Sequence, residues 1–382
     1  MQMQDTPRKR GDQIGLDDEK PELAILGTRG VPAQHGGFET FAEHFSRYLV
    51  AGGRRVRVYC QTQGNGEPWR DTWQGVERIH IPVPNDGPLG TIIFDWKATR
   101  HACKEKLPQL TLGYNTALFA ILPRLAGCHN AMNMDGIEWK RQKWSAPVRV
   151  WFYINEILGC LLANHLIADH PEIANHLTRW APRSKISVLP YGADRVTESD
   201  VELIKSMGLE KDKYLLIIAR PEPENSILEM VQAFSAKMRD VKLVILGNYY
   251  PQQNSFHRKV MDAASNEVVF PGAIYNLAEV RALRVNALLY LHGHQVGGTN
   301  PSLVEALGCG SAVLAHDNRF NRWVAGPDAC YFRDKQGCQQ ALDQLLLDRT
   351  EIDNMRAASI EQHQSKFLWA PVFEGYKAVC GL

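Results

Sequence analysis

From residue 22 onward, short apolar runs alternate with amphipathic stretches, and the alternation falls into two sets. The first set of runs is Glu22–Gly27, Arg55–Cys60, Arg78–Pro82, Leu110–Gly113, Ala131–Met134, His165–Asp169 and Ile186–Pro190, all of strand length. Between the first two, Phe38, Phe41, Ala42, Phe45 and Leu49 recur at helical spacing, with Glu39, Glu43 and Arg47 off that stripe. An apolar strand followed by such a helix is the repeating unit of a parallel sheet covered on both faces. Pro190-Tyr191-Gly192 ends the set, and a polar stretch over 191–212 reads as a linker. A second set follows with Tyr214–Ala219, Val241–Gly247, Val268–Phe270, Ala287–His292 and Ser311–Ala315 as strands. The pattern predicts an α/β protein of two Rossmann-like, doubly wound domains, over 21–195 and 205–362. Ligands then bind in the cleft that the carboxyl ends of the strands face.

Composition narrows this picture. A length of 382 residues, 45% of them hydrophobic, supplies two cores without a metal or disulfide staple. The net charge of +1 argues against a dedicated nucleic-acid binder. The 8 cysteines are scattered, with no Cys-x-x-Cys pair, which favours buried thiols in a reducing compartment over disulfides or zinc. No apolar run reaches the roughly 18–20 residues that cross a bilayer, and residues 1–20 are too polar for a signal peptide. These features predict a disordered tail over 1–20, a cytoplasmic protein, and any membrane contact as peripheral.

The first strand runs into Gly27-Thr28-Arg29-Gly30-Val31-Pro32 and then Gln34-His35-Gly36-Gly37-Phe38. Gly36 and Gly37 precede the first helix, so their amides can face an anion, although a tight turn without a ligand has the same look. The spacing is not Gly-x-Gly-x-x-Gly, and the second strand ends Val58-Tyr59-Cys60-Gln61 with no acidic residue for a ribose, which argues against a dinucleotide oxidoreductase.

The second domain carries the stronger signal. After the strand ending at His292 come His294, a glycine-rich loop and Asn300-Pro301-Ser302, an N-cap and first-turn pattern whose free amides suit a diphosphate. Glu305 lies one turn in, where a carboxylate can accept both hydroxyls of a ribose or serve a buried structural role. Arg220 closes the strand Tyr214–Ala219, placed either to clamp phosphate oxygens or to pair with Glu222 or Glu224 at the surface.

At these residues the chain resembles the family 4 retaining glycosyltransferases of the GT-B fold, and within them the bacterial rhamnosyltransferases of surface polysaccharide synthesis. The resemblance runs from Glu22 to the end. It is most specific at Gly27–Pro32 with Gly36–Thr40, at Leu112-Gly113-Tyr114-Asn115, at Asn133-Met134-Asp135-Gly136-Ile137-Glu138-Trp139-Lys140-Arg141, and at Gly297–Ser302. It implies that the second domain holds a nucleotide-sugar donor and the first a lipid-diphosphate-linked saccharide acceptor, the donor being dTDP-rhamnose or another UDP- or GDP-sugar. It implies donor contacts from Gly36, Gly37, Arg220, Asn225, His294, Gly298, Thr299, Asn300, Ser302 and Glu305. It also implies acceptor contacts from Tyr114, Asn115, Asn133, Asp135 and Glu138, with Asp135, Arg220 and Glu305 at the chemistry. A last helix over 363–382 is implied to cross back to the first domain.

Three departures stand out. The first glutamate of the family's Glu-x7-Glu motif falls at Gly297, the family's diphosphate lysine is Asn225, and the cleft histidine after the fifth strand is Asp135. His292, His294 and Thr299 are candidates for the emptied donor-sugar space.

Loss of a nucleoside diphosphate puts charge on phosphate oxygens, so preplaced donors are the expected main catalytic effect. They are Arg220, the amides of Gly298–Ser302 and the Gly36–Gly37 turn. Retention fits a front-face reaction in which the donor phosphate takes the acceptor proton. Asp135 then orients the acceptor hydroxyl or acts as its base, unless Asp-Gly is only a turn. No Asp-x-Asp occurs, which favours a reaction without metal, and no cofactor is expected beyond the donor itself. The Trp139–Phe152 stretch interleaves cations and aromatics, as suits an anionic membrane interface or, equally, internal packing of its tryptophans. Two other functions fit the same residues. One is a nucleotide-sugar 2-epimerase; the other is a non-catalytic sugar-nucleotide binding or scaffold protein.

Overall fold

The computed structural model describes residues 21–34, 36–141 and 143–382; the expected tail over 1–20 lies outside the described residues. The first domain runs β1 (Leu23–Leu26), α1 (Gly37–Ala51), β2 (Val56–Gln63), β3 (Trp69–Trp73), β4 (Val76–Val83), α2 (Pro88–Lys104), β5 (Gln109–Leu112), α3 (Ile121–Ala126), β6 (Asn130–Asn133), α4 (Ala146–Leu162), β7 (His165–Ala168), α5 (Pro171–Leu177) and β8 (Ile186–Val188). The second runs α6 (Val201–Ser206), β9 (Tyr214–Ile218), α7 (Ile227–Phe234), β10 (Lys242–Leu246), α8 (Ser255–Asp262), β11 (Val268–Gly272), α9 (Leu277–Asn286), β12 (Leu289–His292), α10 (Pro301–Gly308), β13 (Val313–His316), α11 (Arg319–Ala325), β14 (Cys330–Phe332), α12 (Lys335–Leu345) and α13 (Arg349–Lys366). A last helix, α14 (Trp369–Cys380), follows.

The strands form two sheets, ordered β3-β4-β2-β1-β5-β6-β7-β8 and β11-β10-β9-β12-β13-β14. All pairings are parallel except β3 with β4, which is antiparallel at the edge. Central strands are buried on both faces, as in Leu23–Leu26 and Tyr214–Ile217, which is why their sequences read as continuous apolar runs. Strand order reverses between β1 and β5 in the first sheet and between β9 and β12 in the second. Those two switch points face each other across the cleft.

Glycines mark the close approaches at both. Gly27 has φ +80°, and a Cβ there would overlap the Leu112 carbonyl. A Cβ on Gly293 would overlap the Asn225 carbonyl.

The linker differs from expectation. Within 191–212, α6 packs Ile204 into the second core together with Leu209, so this stretch is part of the second domain rather than a free connection. The chain returns to the first domain beside the linker, where Ala193 pairs with Leu368 and its amide donates to the Phe367 carbonyl at 2.8 Å. The expected boundary at 363 falls inside α13, and the helix that crosses back is α14. Val372, Phe373 and Tyr376 of α14 join the core of Phe41 and Phe45, burying aromatic surface that α1 alone leaves uncovered.

Candidate functional site

Several helices of the second domain start on an Asn or Asp whose side chain accepts from their first amides: Asn254, Asn276, Asn318, Asp334 and Asp348. Helix α1 differs, since its N-cap is Gly36 and no side chain caps it. Its first turn opens on the cleft opposite α10, and a Cβ on Gly37 would lie 3.3 Å from the Pro301 ring. Two helix N-termini therefore converge, one from each domain, on a cavity of about 320 Å³.

Of the residues expected at the site, Gly37, Asn133, Asp135, Glu138, Arg220, Asn225, His294, Gly298, Thr299 and Asn300 line this cavity. Gly36, Tyr114, Asn115, Ser302 and Glu305 do not. Tyr114 is fully buried, and its hydroxyl accepts from the Glu138 amide at 2.9 Å, so it shapes the loop after β6 from behind. Asn115 is exposed outside the cavity, its carbonyl taken by the Trp151 indole. The Ser302 amide donates to the Asn300 cap at 3.0 Å, and its hydroxyl bonds Tyr290 at 2.7 Å. The Thr299 amide is likewise engaged by Asp169. Within the expected run of phosphate-facing amides, Gly298 and Asn300 thus remain for a ligand.

Glu305 pairs with Arg284 at 2.6 Å; the arginine side chain is 4% exposed and the glutamate 35%. The buried guanidinium also reaches the Ser302 hydroxyl at 3.2 Å, so it fixes how α10 presents Glu305. Arg220 sits exposed at the mouth of β9 and pairs with neither Glu222 nor Glu224. Asn225, 5% exposed, donates its amide to the Arg220 carbonyl at 2.8 Å and braces that turn.

Glu138 is committed to structure: it accepts from the Trp144 indole at 3.0 Å and from Arg141 at 2.8 Å. Asn133 donates to the Tyr376 hydroxyl at 2.7 Å, which ties the end of β6 to α14.

Asp135 lies deep in the cleft at φ +49°, with its amide held by the Asn133 side chain at 2.8 Å. Burial and the charge of Glu138 push its carboxyl up to about 6. His292 and His294 stack at 4.3 Å, but only His294 lines the cavity. Burial, and then the positive charges of Arg220 and Arg141, hold His294 neutral, down to about 3. Gly297 adopts φ +134°, a conformation that a glutamate would take only with strain, which is why the motif's first carboxylate has no counterpart on this backbone.

Two charged cavity residues escape the sequence reading. Asp169, just past β7, accepts the Thr299 amide at 2.8 Å and its carbonyl accepts the Thr299 hydroxyl, joining the two domains. Its other carboxyl oxygen has no partner. Burial, and then the charge of Asp135, push this carboxyl up to about 8. The signal for it was position alone, at the carboxyl end of a parallel strand. Arg141 is the second: it turns into the cleft and bonds Glu224 of the second domain.

In the Trp139–Phe152 stretch, two of the tryptophans follow the internal-packing alternative. The Trp139 indole donates to Glu156 at 2.9 Å, and the Trp144 indole is bound to Glu138. Lys140 and Lys143 lie over these two rings at 5.3 and 4.7 Å. The exposed apolar side chains are further along, Val150, Trp151, Ile154 and Leu161 on α4, with Leu118, Ile121 and Leu125 on the adjoining segment. Among the described residues, no helix is long and apolar enough to cross a membrane.

Residues 20–194 match a family described as "Domain of unknown function (DUF1972)", and residues 201–365 match Glycosyl transferases group 1. No curated protein matches the chain. Similar solved structures include sucrose-phosphate synthase from Thermosynechococcus elongatus, with a TM-score of 0.77 at 16% identity over 94% of this chain and 98% of that one. Anabaena HepE in complex with UDP and glucose has a TM-score of 0.72 at 14% identity, over 95% of this chain and 100% of its own. A trehalose-phosphate synthase (UDP-forming) from Burkholderia xenovorans has a TM-score of 0.69 at 11% identity, over 94% and 100%. These likenesses establish the GT-B fold, and the second domain carries the match to Glycosyl transferases group 1.

Proposed function

We propose that this GT-B glycosyltransferase retains the anomeric configuration and moves a sugar from a nucleoside-diphosphate donor to a lipid-diphosphate-linked saccharide. L-rhamnose from dTDP-rhamnose is the first candidate. The observation that carries the reading is the convergence on one cavity of Arg220 and the Gly298 and Asn300 amides from the second domain with the uncapped start of α1 and Asp135 from the first. Cations and aligned amides there stabilise the charge of a departing diphosphate.

Asp135, with its raised value of about 6, is ionised at neutral pH and can orient or deprotonate the acceptor hydroxyl. Glu305, steadied by Arg284, lies outside the cavity lining and keeps one carboxyl oxygen for a donor ribose that extends beyond it. The donor is a substrate, and the reading requires no cofactor or metal. Beside the cleft, the exposed apolar residues of α4 and its neighbours suit peripheral contact with the cytoplasmic face of a membrane that carries the acceptor.

The test is a donor panel of dTDP-rhamnose, UDP-glucose, UDP-N-acetylglucosamine and GDP-mannose with a synthetic lipid-diphosphate monosaccharide, following nucleoside diphosphate release and glycolipid mass. A sugar-sized mass gain from one donor, lost in Arg220→Ala and Glu305→Gln, supports the reading and names the donor. Nucleotide binding without turnover of any donor would replace it with a binding or scaffold role.

A further inference from the structure

We propose that Arg141, reaching across the cleft from the first domain, supplies the second cation for the donor diphosphate in the place that Asn225 leaves uncharged. The inference rests on the nucleotide-sugar reading above and assigns one more residue to that site.

The turn after β9 carries a single arginine toward the cavity. Asn225, where a second cation would emerge from the same turn, is buried and spends its amide on the Arg220 carbonyl. A diphosphate held by Arg220 alone would keep much of its charge uncompensated in a partly dry cleft, which is costly.

Arg141 lines the same cavity as Arg220 and comes from the opposite wall. Its guanidinium is held in a fixed pose. One nitrogen donates to Glu138 of its own domain at 2.8 Å, and the Nε and remaining nitrogen both point at one oxygen of Glu224, with Nε at 3.1 Å. Glu224 belongs to the short turn that follows Arg220. The half of the planar fork that reaches the second domain is thus presented to an oxyanion beside Arg220. Phosphate oxygens accept from that fork in the same side-by-side manner as a carboxylate.

The surrounding charges agree. His294 is held neutral first by burial and then by the combined positive charge of Arg220 and Arg141. The Lys143 ammonium is disfavoured by burial and then by the same two arginines. Both side chains thus sense the two arginines across the cleft, although Arg141 is itself balanced by Glu138 and Glu224 until a ligand takes its fork.

Donor binding then proceeds by exchange. The diphosphate takes the Arg141 fork from Glu224 and meets Arg220 on its other side, so one cation from each domain closes on it. The clamp is complete only with the domains together, which couples donor binding to cleft closure.

The experiment is calorimetric titration of the full chain with dTDP, dTMP, UDP and UMP, for wild type, Arg141→Ala, Arg141→Lys and Glu224→Gln, with denaturation midpoints as the folding control. Arg141→Ala is expected to weaken the diphosphate that wild type binds best by about tenfold or more, the scale of one charged hydrogen-bonded contact. Its loss of monophosphate affinity is expected to be much smaller, and Arg141→Lys should fall between. Glu224→Gln releases the fork and should leave diphosphate affinity equal to wild type or tighter. If Arg141 is only a strut between domains, Glu224→Gln will weaken binding as Arg141→Ala does, and the proposal fails. Unchanged diphosphate affinity in Arg141→Ala, or equal losses for mono- and diphosphate, also overturns it while leaving the nucleotide-sugar reading intact. Wild type that binds neither diphosphate sinks both.

Discussion

Replacing Asp169 with Asn should stabilise the protein, by an amount that grows with pH. One oxygen of the Asp169 carboxyl accepts the Thr299 amide and the other has no partner. Asn keeps the acceptor and puts a neutral amide on the unpartnered side, so it copies the protonated acid. In the folded protein this carboxyl is raised to about 8, against about 3.9 for an unfolded chain. The native state therefore holds a proton that the unfolded chain releases. The stability this contributes is fully present below about pH 4 and is lost as pH rises through about 8. A difference of one proton changes stability by about 1.4 kcal/mol per pH unit across that window, or about 3 kcal/mol over two units. Asp135, raised to about 6, titrates within the same range, so the wild-type curve alone mixes the two. Urea unfolding of wild type and variant at several pH values between about 5 and 8 separates them, because the variant lacks only the Asp169 proton. The stability gap should widen by about 3–4 kcal/mol across that range, levelling as pH nears 8. A gap that stays constant, or narrows as pH rises, refutes a protonated Asp169 at the domain junction.

Tyr376→Phe removes the 2.7 Å bond from Asn133 and leaves a buried amide without its partner; it should cost about 1–3 kcal/mol in urea unfolding, and no change would mean that water replaces the hydroxyl. Gly192→Ala places a Cβ 2.5 Å from the Trp369 ring where the chain passes between domains; overpacking of this kind should cost about 1–3 kcal/mol, seen as a lower melting midpoint. Glu305→Ala strands the Arg284 guanidinium, whose side chain is 4% exposed, and should lower stability by about 1–3 kcal/mol. Glu305→Gln keeps an acceptor for Arg284 and should recover most of that stability but little activity. Equal stabilities for the two variants would mean that Arg284 does not depend on this carboxylate.

The fold was legible wherever burial forced a continuous apolar run. Tyr214–Ile218 and Leu23–Leu26 are central parallel strands, and no polar residue interrupts them. The edge strands β8 and β11 were also read, but the edges β3 and β14 were not legible, for a physical reason. In β3 the sequence Trp-Arg-Asp-Thr-Trp faces solvent along much of its length, and its pairing rests on cross-strand contacts that no local pattern records. Trp69 stacks on His80 at 3.7 Å, and Asp71 pairs with Arg78 at 2.6 Å. The strand β14 spans only Cys330–Phe332 and lies at the other sheet's edge. Helix α6 hid in a polar stretch because only Ile204 of its six residues is buried.

The candidate site divides along the same line. Residues that a single loop assembles could be found in the sequence, because spacing along a strand-to-helix turn fixes where Arg220 emerges after β9 and where Gly298 and Asn300 emerge after β12. Residues whose role depends on the opposite domain could not. Arg141 reads as one cation among several in an aromatic stretch until the fold sets Glu224 against it. Asp169 reads as the end of a strand until Thr299 arrives from 130 residues away. Gly298 shows the reciprocal case, since a Cβ there would overlap the Asp169 carboxylate. The glycine that looks like phosphate-loop flexibility in the sequence also lets the first domain approach. Spacing along the chain thus reports each half of the cleft separately, whereas binding a diphosphate between two helix N-termini requires both halves at once.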